Sequence, residues 1–169
     1  MSLIKGDREL EHILSIKQKT LRINLNEHIY GTFAEIGAGQ ETVRHFFRAG
    51  GASGTIAKAM SAYDKDFSDA IYGIEKDRRY VTESRLRKML RHEADLIEER
   101  ISRDKHPNKV FFSYANTVTT IDFAKNFQGH GWVGIRFQMD SLEDYNEIVI
   151  HVRFKQTDSK LQSEIIDNF

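Results

Sequence analysis

The chain of 169 residues contains no cysteine and a single proline, Pro107. The first absence excludes disulfides, thiolate metal sites and a cysteine nucleophile. Net charge is also missing: 25 basic side chains balance 25 acidic ones. A dedicated nucleic-acid binder carries a basic surplus, so this balance argues against one. No apolar run approaches the length of a membrane-spanning helix, and the opening MSLIKGDRELEH places charges where a signal peptide needs an apolar core. These absences point to a cytoplasmic chain with no membrane part. What remains is an ordinary globular balance, 40% apolar and 30% charged, in a length that suits one domain.

Glycine is abundant in one place. Seven of the eleven glycines fall within 29–73, where apolar runs alternate with small residues before an aspartate cluster. Glycine permits positive φ and close backbone approach, as a turn or a ligand requires.

In chain order, Asp7 can cap a helix over 7–19 with Leu10, Ile13 and Leu14 on one face. A weak alternation over 21–25 reads as a strand. Residues 29–36 read as a better one, rich in aromatic and β-branched types and closed by Gly37-Ala38-Gly39. A short helix over 40–48 stops at Gly50-Gly51. A second strand over 55–63 and a turn or short helix over 64–71 follow. The clearest element is a helix over 82–103, with Leu86, Met89, Leu90, Ala94, Ile97 and Ile101 in one stripe. Its cations, Arg85, Arg87, Lys88 and Arg91, crowd the N-terminal half, against the helix dipole. They are either a solvated face with pairs such as Arg91–Asp95 or an anion- or partner-binding surface. Strands over 110–121, 132–138 and 147–154 follow, the last two as an antiparallel pair, then a helix over 159–168. Together they predict an α+β (mixed α/β) fold, a partly antiparallel central sheet with packed helices.

Three constellations could carry chemistry. Glu35, Gly37, Gly39 and Gln40 lie at a strand-to-helix junction, where free backbone amides favour anions. The pattern also matches part of the first motif of Rossmann-like methyltransferases, with Asp64 as a ribose-binding acid for S-adenosylmethionine. Thr42 stands where a dinucleotide fingerprint has its third glycine. The second constellation is Arg48, Gly50, Gly51, Ser53, Gly54 and Thr55 with Lys58, small residues and hydroxyls beside cations as in a phosphate-binding nest. No Gly-Lys-Ser/Thr follows, so it is not a P-loop. Arg44 would add charge. The third is Asp64, Asp66 and Asp69, whose carboxylates could hold Mg²⁺ beside a phosphate. The histidines show no recognised metal spacing.

The stretches TLRINLNEHIYGTFAEIGAGQETVRHFFRAGGASGTIAKAMSAYDKDFSDAIYG and ANTVTTIDFAKNFQGHGWVGIRFQ resemble the N-terminal part of a family of longer, uncharacterised bacterial proteins. The resemblance implies a chain that continues beyond Phe169. Relatives carry labels such as TonB-dependent receptor or nicotinate-nucleotide adenylyltransferase. A receptor of that kind needs a signal peptide and many lipid-facing strands, and Gly129-His130-Gly131-Trp132 is not the His-x-Gly-His motif of the adenylyltransferases. The resemblance implies no catalytic residues.

The sequence therefore supports two functions. One is binding of a nucleotide or another phosphate-bearing ligand, with Mg²⁺ possible, at the two glycine loops. The other is an assembly domain whose 31–73 surface packs on a C-terminal region or a second copy as a homo-oligomer.

Overall fold

The computed structural model describes residues 14–169. The elements are α1 (Ile16–Asn24), β1 (Ile29–Gly37), α2 (Thr42–Ala49), β2 (Ile56–Ala62), α3 (Lys65–Tyr72), α4 (Glu83–Arg100), β3 (Val110–Thr119), β4 (His130–Phe137), β5 (Asn146–Arg153) and α5 (Ser159–Asn168). The five strands form one sheet in the order β2-β1-β3-β4-β5. The first three run parallel, and β4 and β5 complete the sheet antiparallel. The expected α+β class and the closing antiparallel pair are both present.

Alternation along the strands separates two faces. Ala34, Ile36 and Ala115 turn to α4, where Leu86, Met89 and Leu90 are fully buried. Phe33 and Phe112 turn the other way, onto Val43 and Phe46 of α2. A third apolar cluster seats Ile166 of α5 against Val118, Val133 and Phe154. Gly134 lets α4 approach the sheet: a Cβ there would lie 2.9 Å from Leu90 and 3.0 Å from Leu86.

The expectation at the start of the chain is corrected. Residues 21–25 are not a strand; they belong to α1 and its C-cap. Ser15 and Gln18 form a capping box, each side chain bonding the other's backbone N–H, which starts a helix at Ile16. The weak alternation does not mark a sheet face, because Leu25 is 68% exposed. Asn24 is buried instead, and its amide donates to the Phe46 and Gly50 carbonyls at 2.9 and 2.8 Å. The part of the expected first helix before residue 14 lies outside the described residues.

Three of the four α4 cations have a different explanation from the one their spacing suggests, while Arg91 stays exposed. Arg85 is fully buried, with its guanidinium 2.7 Å from Asp69 and 3.5 Å from Glu75. Lys88 reaches Glu75 at 3.1 Å, and Arg87 reaches Glu83 and Glu147. They tie α4 to α3 and the sheet.

Candidate functional site

Chain direction and strand order define one crevice. From β1 the chain crosses by α2 to β2 on one side; from β2 it returns through α3 and α4 on the opposite face to β3 on the other side. The strand order thus reverses at β1, and open α/β sheets bind ligands outside the carboxyl ends of the strands at such a point. A crevice of about 260 Å³ lies there. Its lining combines Gly37 and Ala38 after β1, Tyr63, Asp64 and Lys65 after β2, and Thr117, Thr119 and Thr120 at the end of β3. Ser68 and Tyr80 complete it.

The polar groups around it are organised. Asp64 caps α3, accepting the Phe67 N–H at 2.8 Å. Thr117 Oγ1 donates to the Tyr80 carbonyl at 2.7 Å, and Tyr80 Oη donates to Asp69 at 2.7 Å. That hydrogen bond, followed by the Arg85 guanidinium, holds the Asp69 carboxyl below the usual carboxylate range. Lys65 Nζ stands 5.5 Å over the Tyr80 ring. Ser68 is 2% exposed, and its hydroxyl has no hydrogen-bond partner among the described residues. A buried hydroxyl without a partner is costly, so Ser68 offers an unused polar group beside the crevice.

The two glycine loops expected to share a ligand do not meet. Gly37 closes β1 and Gly39 and Gln40 follow it, whereas Gly50, Gly51, Ser53, Gly54 and Thr55 precede β2, at the opposite end of these parallel strands. The eight residues of α2 separate them, about 12 Å of helix. Asn24 organises the second loop by holding the Gly50 carbonyl, and Thr55 Oγ1 donates to the Asn24 carbonyl at 3.4 Å. Arg44 and Arg48 are exposed on α2, both facing Glu41 at 3.6 and 3.7 Å. Lys58 points to the α4 face, where its Nζ is 2.5 Å from the fully buried Glu93. Of the expected set, Gly37 and Asp64 line the crevice, and Gln40 supports its rim by donating to the Gly37 carbonyl at 2.7 Å.

Packing accounts for two of the glycines. Gly37 has φ +81°, and a Cβ there would lie 2.1 Å from the Val118 carbonyl oxygen. A Cβ on Gly39 would meet Ile166 at 2.7 Å. The aspartates are engaged separately, Asp64 as a cap and Asp69 by Tyr80 and Arg85. Among the described residues no group of three or more His, Asp or Glu side chains could hold a metal ion.

Glu35 has another environment. It is 1% exposed and accepts the Val43 N–H at 3.3 Å, while Asp167 accepts the Glu41 N–H at 3.0 Å. The amides at the start of α2 therefore face two carboxylates of the chain itself. Burial pushes Glu35 up to about 7, opposed by the Val43 hydrogen bond, and burial also raises Asp167. Tyr114 accepts from Asn116 at 3.3 Å and lies 3.2 Å from Thr42 Oγ1; burial pushes its hydroxyl up to about 12. Thr42, Tyr114 and Asp167 edge a second, larger hollow of about 390 Å³, floored by Phe33, Phe112, Ile135 and Phe137.

The crevice residues missed in the sequence are Tyr63, Lys65, Ser68, Tyr80, Thr117, Thr119 and Thr120. The run Thr117-Val118-Thr119-Thr120 at a strand end was the available signal; the others needed the strand order. Asp167 lies 126 positions from its partner Glu41, with no local mark.

No protein-family model matches the chain, and no curated protein does. Solved structures do. The competence/damage-inducible protein CihA from Agrobacterium tumefaciens superposes with a TM-score of 0.65 at 14% identity, over 99% of this chain and 93% of that one. A CinA-superfamily protein from Escherichia coli gives 0.62 at 13% identity, over 91% and 85%. One from Enterobacter cloacae gives 0.59 at 13%, over 98% and 92%. At such identities the likeness is one of fold: this is an α/β domain built like those competence-damage proteins. Neither label carried by the family resembled in sequence occurs among these three. No helix among the described residues is long and apolar enough to cross a membrane.

Proposed function

We propose that this chain is a small-ligand-binding domain that takes a phosphate-bearing compound, of the nucleotide class, in the crevice at the carboxyl ends of β1 and β3. The observation that carries this reading is the coincidence of the strand-order reversal with a crevice whose lining includes a lysine, a serine and three threonines. Lys65 supplies a cation at its rim, and Thr119, Thr120 and the unpartnered Ser68 supply hydroxyls. The ligand's anionic group sits near Lys65, because the α2 amides that would otherwise attract it already face Asp167 and Glu35.

The test is calorimetric titration and thermal unfolding of the full chain with ATP, NAD and S-adenosylmethionine. A ligand of the folded state raises Tm in proportion to its occupancy. Lys65→Ala is expected to weaken binding at least fivefold, and Arg48→Ala, toward the opposite end of the strands, to leave it unchanged. Failure of all three compounds to shift Tm, or equal loss in both variants, rejects the reading.

A second reading, an assembly domain, is favoured by the outer strand β5. Ile148 and Ile150 remain 50% and 36% exposed on one side of it, and an edge strand with apolar side chains is a pairing surface. A dimer by light scattering that Ile148→Lys disperses, with no response to nucleotides, would support assembly instead.

A further inference from the structure

We propose that His130 and His151 form a two-histidine anchor for a divalent first-row metal of the nickel–copper–zinc group, on the sheet face away from α5. Strand register creates the pair. His130 lies opposite Arg153, and His151 lies opposite Trp132, so the two imidazoles are diagonal neighbours on one face of adjacent strands. His130 Nδ1 and His151 Nε2 stand 2.9 Å apart, with ring planes at 80°.

That separation suits a shared metal. With metal–nitrogen bonds of about 2.0 Å, adjacent corners of a square-planar site are about 2.8 Å apart and tetrahedral corners about 3.3 Å. In the metal-free pair one nitrogen must donate a hydrogen to the other. A metal bonded to both nitrogens displaces that hydrogen and sits to one side of the line between them, with the ring lone pairs turned toward it, and each ring then carries its hydrogen on its outer nitrogen. His151 is exposed and His130 half-buried, leaving the remaining coordination positions to water.

The surroundings fix ligand geometry on one side. The Trp132 and His151 rings are stacked, 4.3 Å between centroids and 3° between planes, which holds the His151 imidazole in place. Metal binding would join β4 to the outer strand β5 and so stabilise the edge of the sheet. Preference follows the affinity of imidazole for nitrogen-seeking cations, with Cu²⁺ tightest and Mg²⁺ excluded.

Trp132 is the only tryptophan of the chain, so its fluorescence reports on this position. Titrating the full chain with Cu²⁺ is expected to quench it to saturation at one equivalent, with no response to Mg²⁺. His130→Ala and His151→Ala should each weaken the midpoint at least tenfold, while His106→Ala, in the α4–β3 connection, should leave it unchanged. Because His151→Ala also removes the stacked ring, the rise in Tm with Ni²⁺ serves as a second reading that needs no fluorescence. It should be present in the parent chain and absent from both variants. A quench midpoint and Ni²⁺ shift unaltered by both substitutions overturn the assignment. So does equal weakening by His106→Ala, which would mark scattered surface histidines as the binding groups.

Discussion

Lys58 Nζ lies 2.5 Å from a carboxylate oxygen of Glu93, a residue with no solvent exposure, while Tyr72 Oη donates to the other oxygen at 2.8 Å. A sheet residue and a helix residue 35 positions away thus share a buried charge. Burial, followed by the Glu93 charge and hydrogen bond, also keeps the Tyr72 hydroxyl protonated, raising its pKa.

Removing one partner of a buried pair leaves an uncompensated charge, which costs about 3–5 kcal/mol. Lys58→Met should fall toward the lower figure, since Lys58 is itself 35% exposed and water can reach the gap. Lys58→Met with Glu93→Gln should recover most of the loss. Urea denaturation of the parent, each single variant and the double variant measures both quantities; additive losses in the double variant would deny the coupling.

Two glycines from the stretch most suggestive of a ligand should respond oppositely to alanine. Gly37→Ala combines a positive φ with overlap on the Val118 carbonyl, and the backbone term alone costs about 1–2 kcal/mol. Gly54 has open space around a new Cβ and no positive φ. Gly54→Ala should therefore be neutral, or stabilising by up to about 1 kcal/mol through the unfolded chain. Denaturant midpoints of the two variants settle the contrast.

The carboxyl of Glu35 makes stability depend on pH. Its pKa is about 7 in the folded chain against an ordinary 4.5, so the folded state holds the proton more tightly than the unfolded state. This contribution is complete below pH ~4.5 and is lost as pH rises through ~7. The difference amounts to about 3 kcal/mol. Asp167 is shifted in the same direction. Glu35→Gln should flatten the fall in Tm between pH 5 and 8, to the extent that the neutral amide keeps the Val43 contact. An unchanged slope would show that Glu35 stays charged throughout.

Much of the fold was legible because the signals are local. The stripe from Leu86 to Ile97 announces α4, and the aromatic and β-branched run Ile29–Gly37 announces β1. The misread stretch at 21–25 shows where such signals end. Three apolar residues in alternation cannot distinguish a strand from a helix, and the Ser15–Gln18 capping box decided the matter.

The candidate crevice was legible in part. Glycine density pointed to the β1–α2 junction but joined it to a second loop at the opposite end of the strands. Spacing along the chain contains no information about which end of a sheet a loop occupies; chain direction does. Lys58 looked like a free cation beside small residues, and only its strand face revealed Glu93 as its partner.

The sequence by itself determined the kinds and order of the elements from β1 onward, and the absence of thiol chemistry, since composition and periodicity are properties of neighbouring residues. The tertiary structure alone decided that Gly37 and Gly50 lie at opposite ends of the parallel strands, that Glu35 and Asp167 meet the start of α2, and that Tyr63 to Lys65 face Thr117 to Thr120 across a crevice. These are contacts between segments far apart in the chain, set by strand order and by which face each side chain takes. No local pattern encodes them.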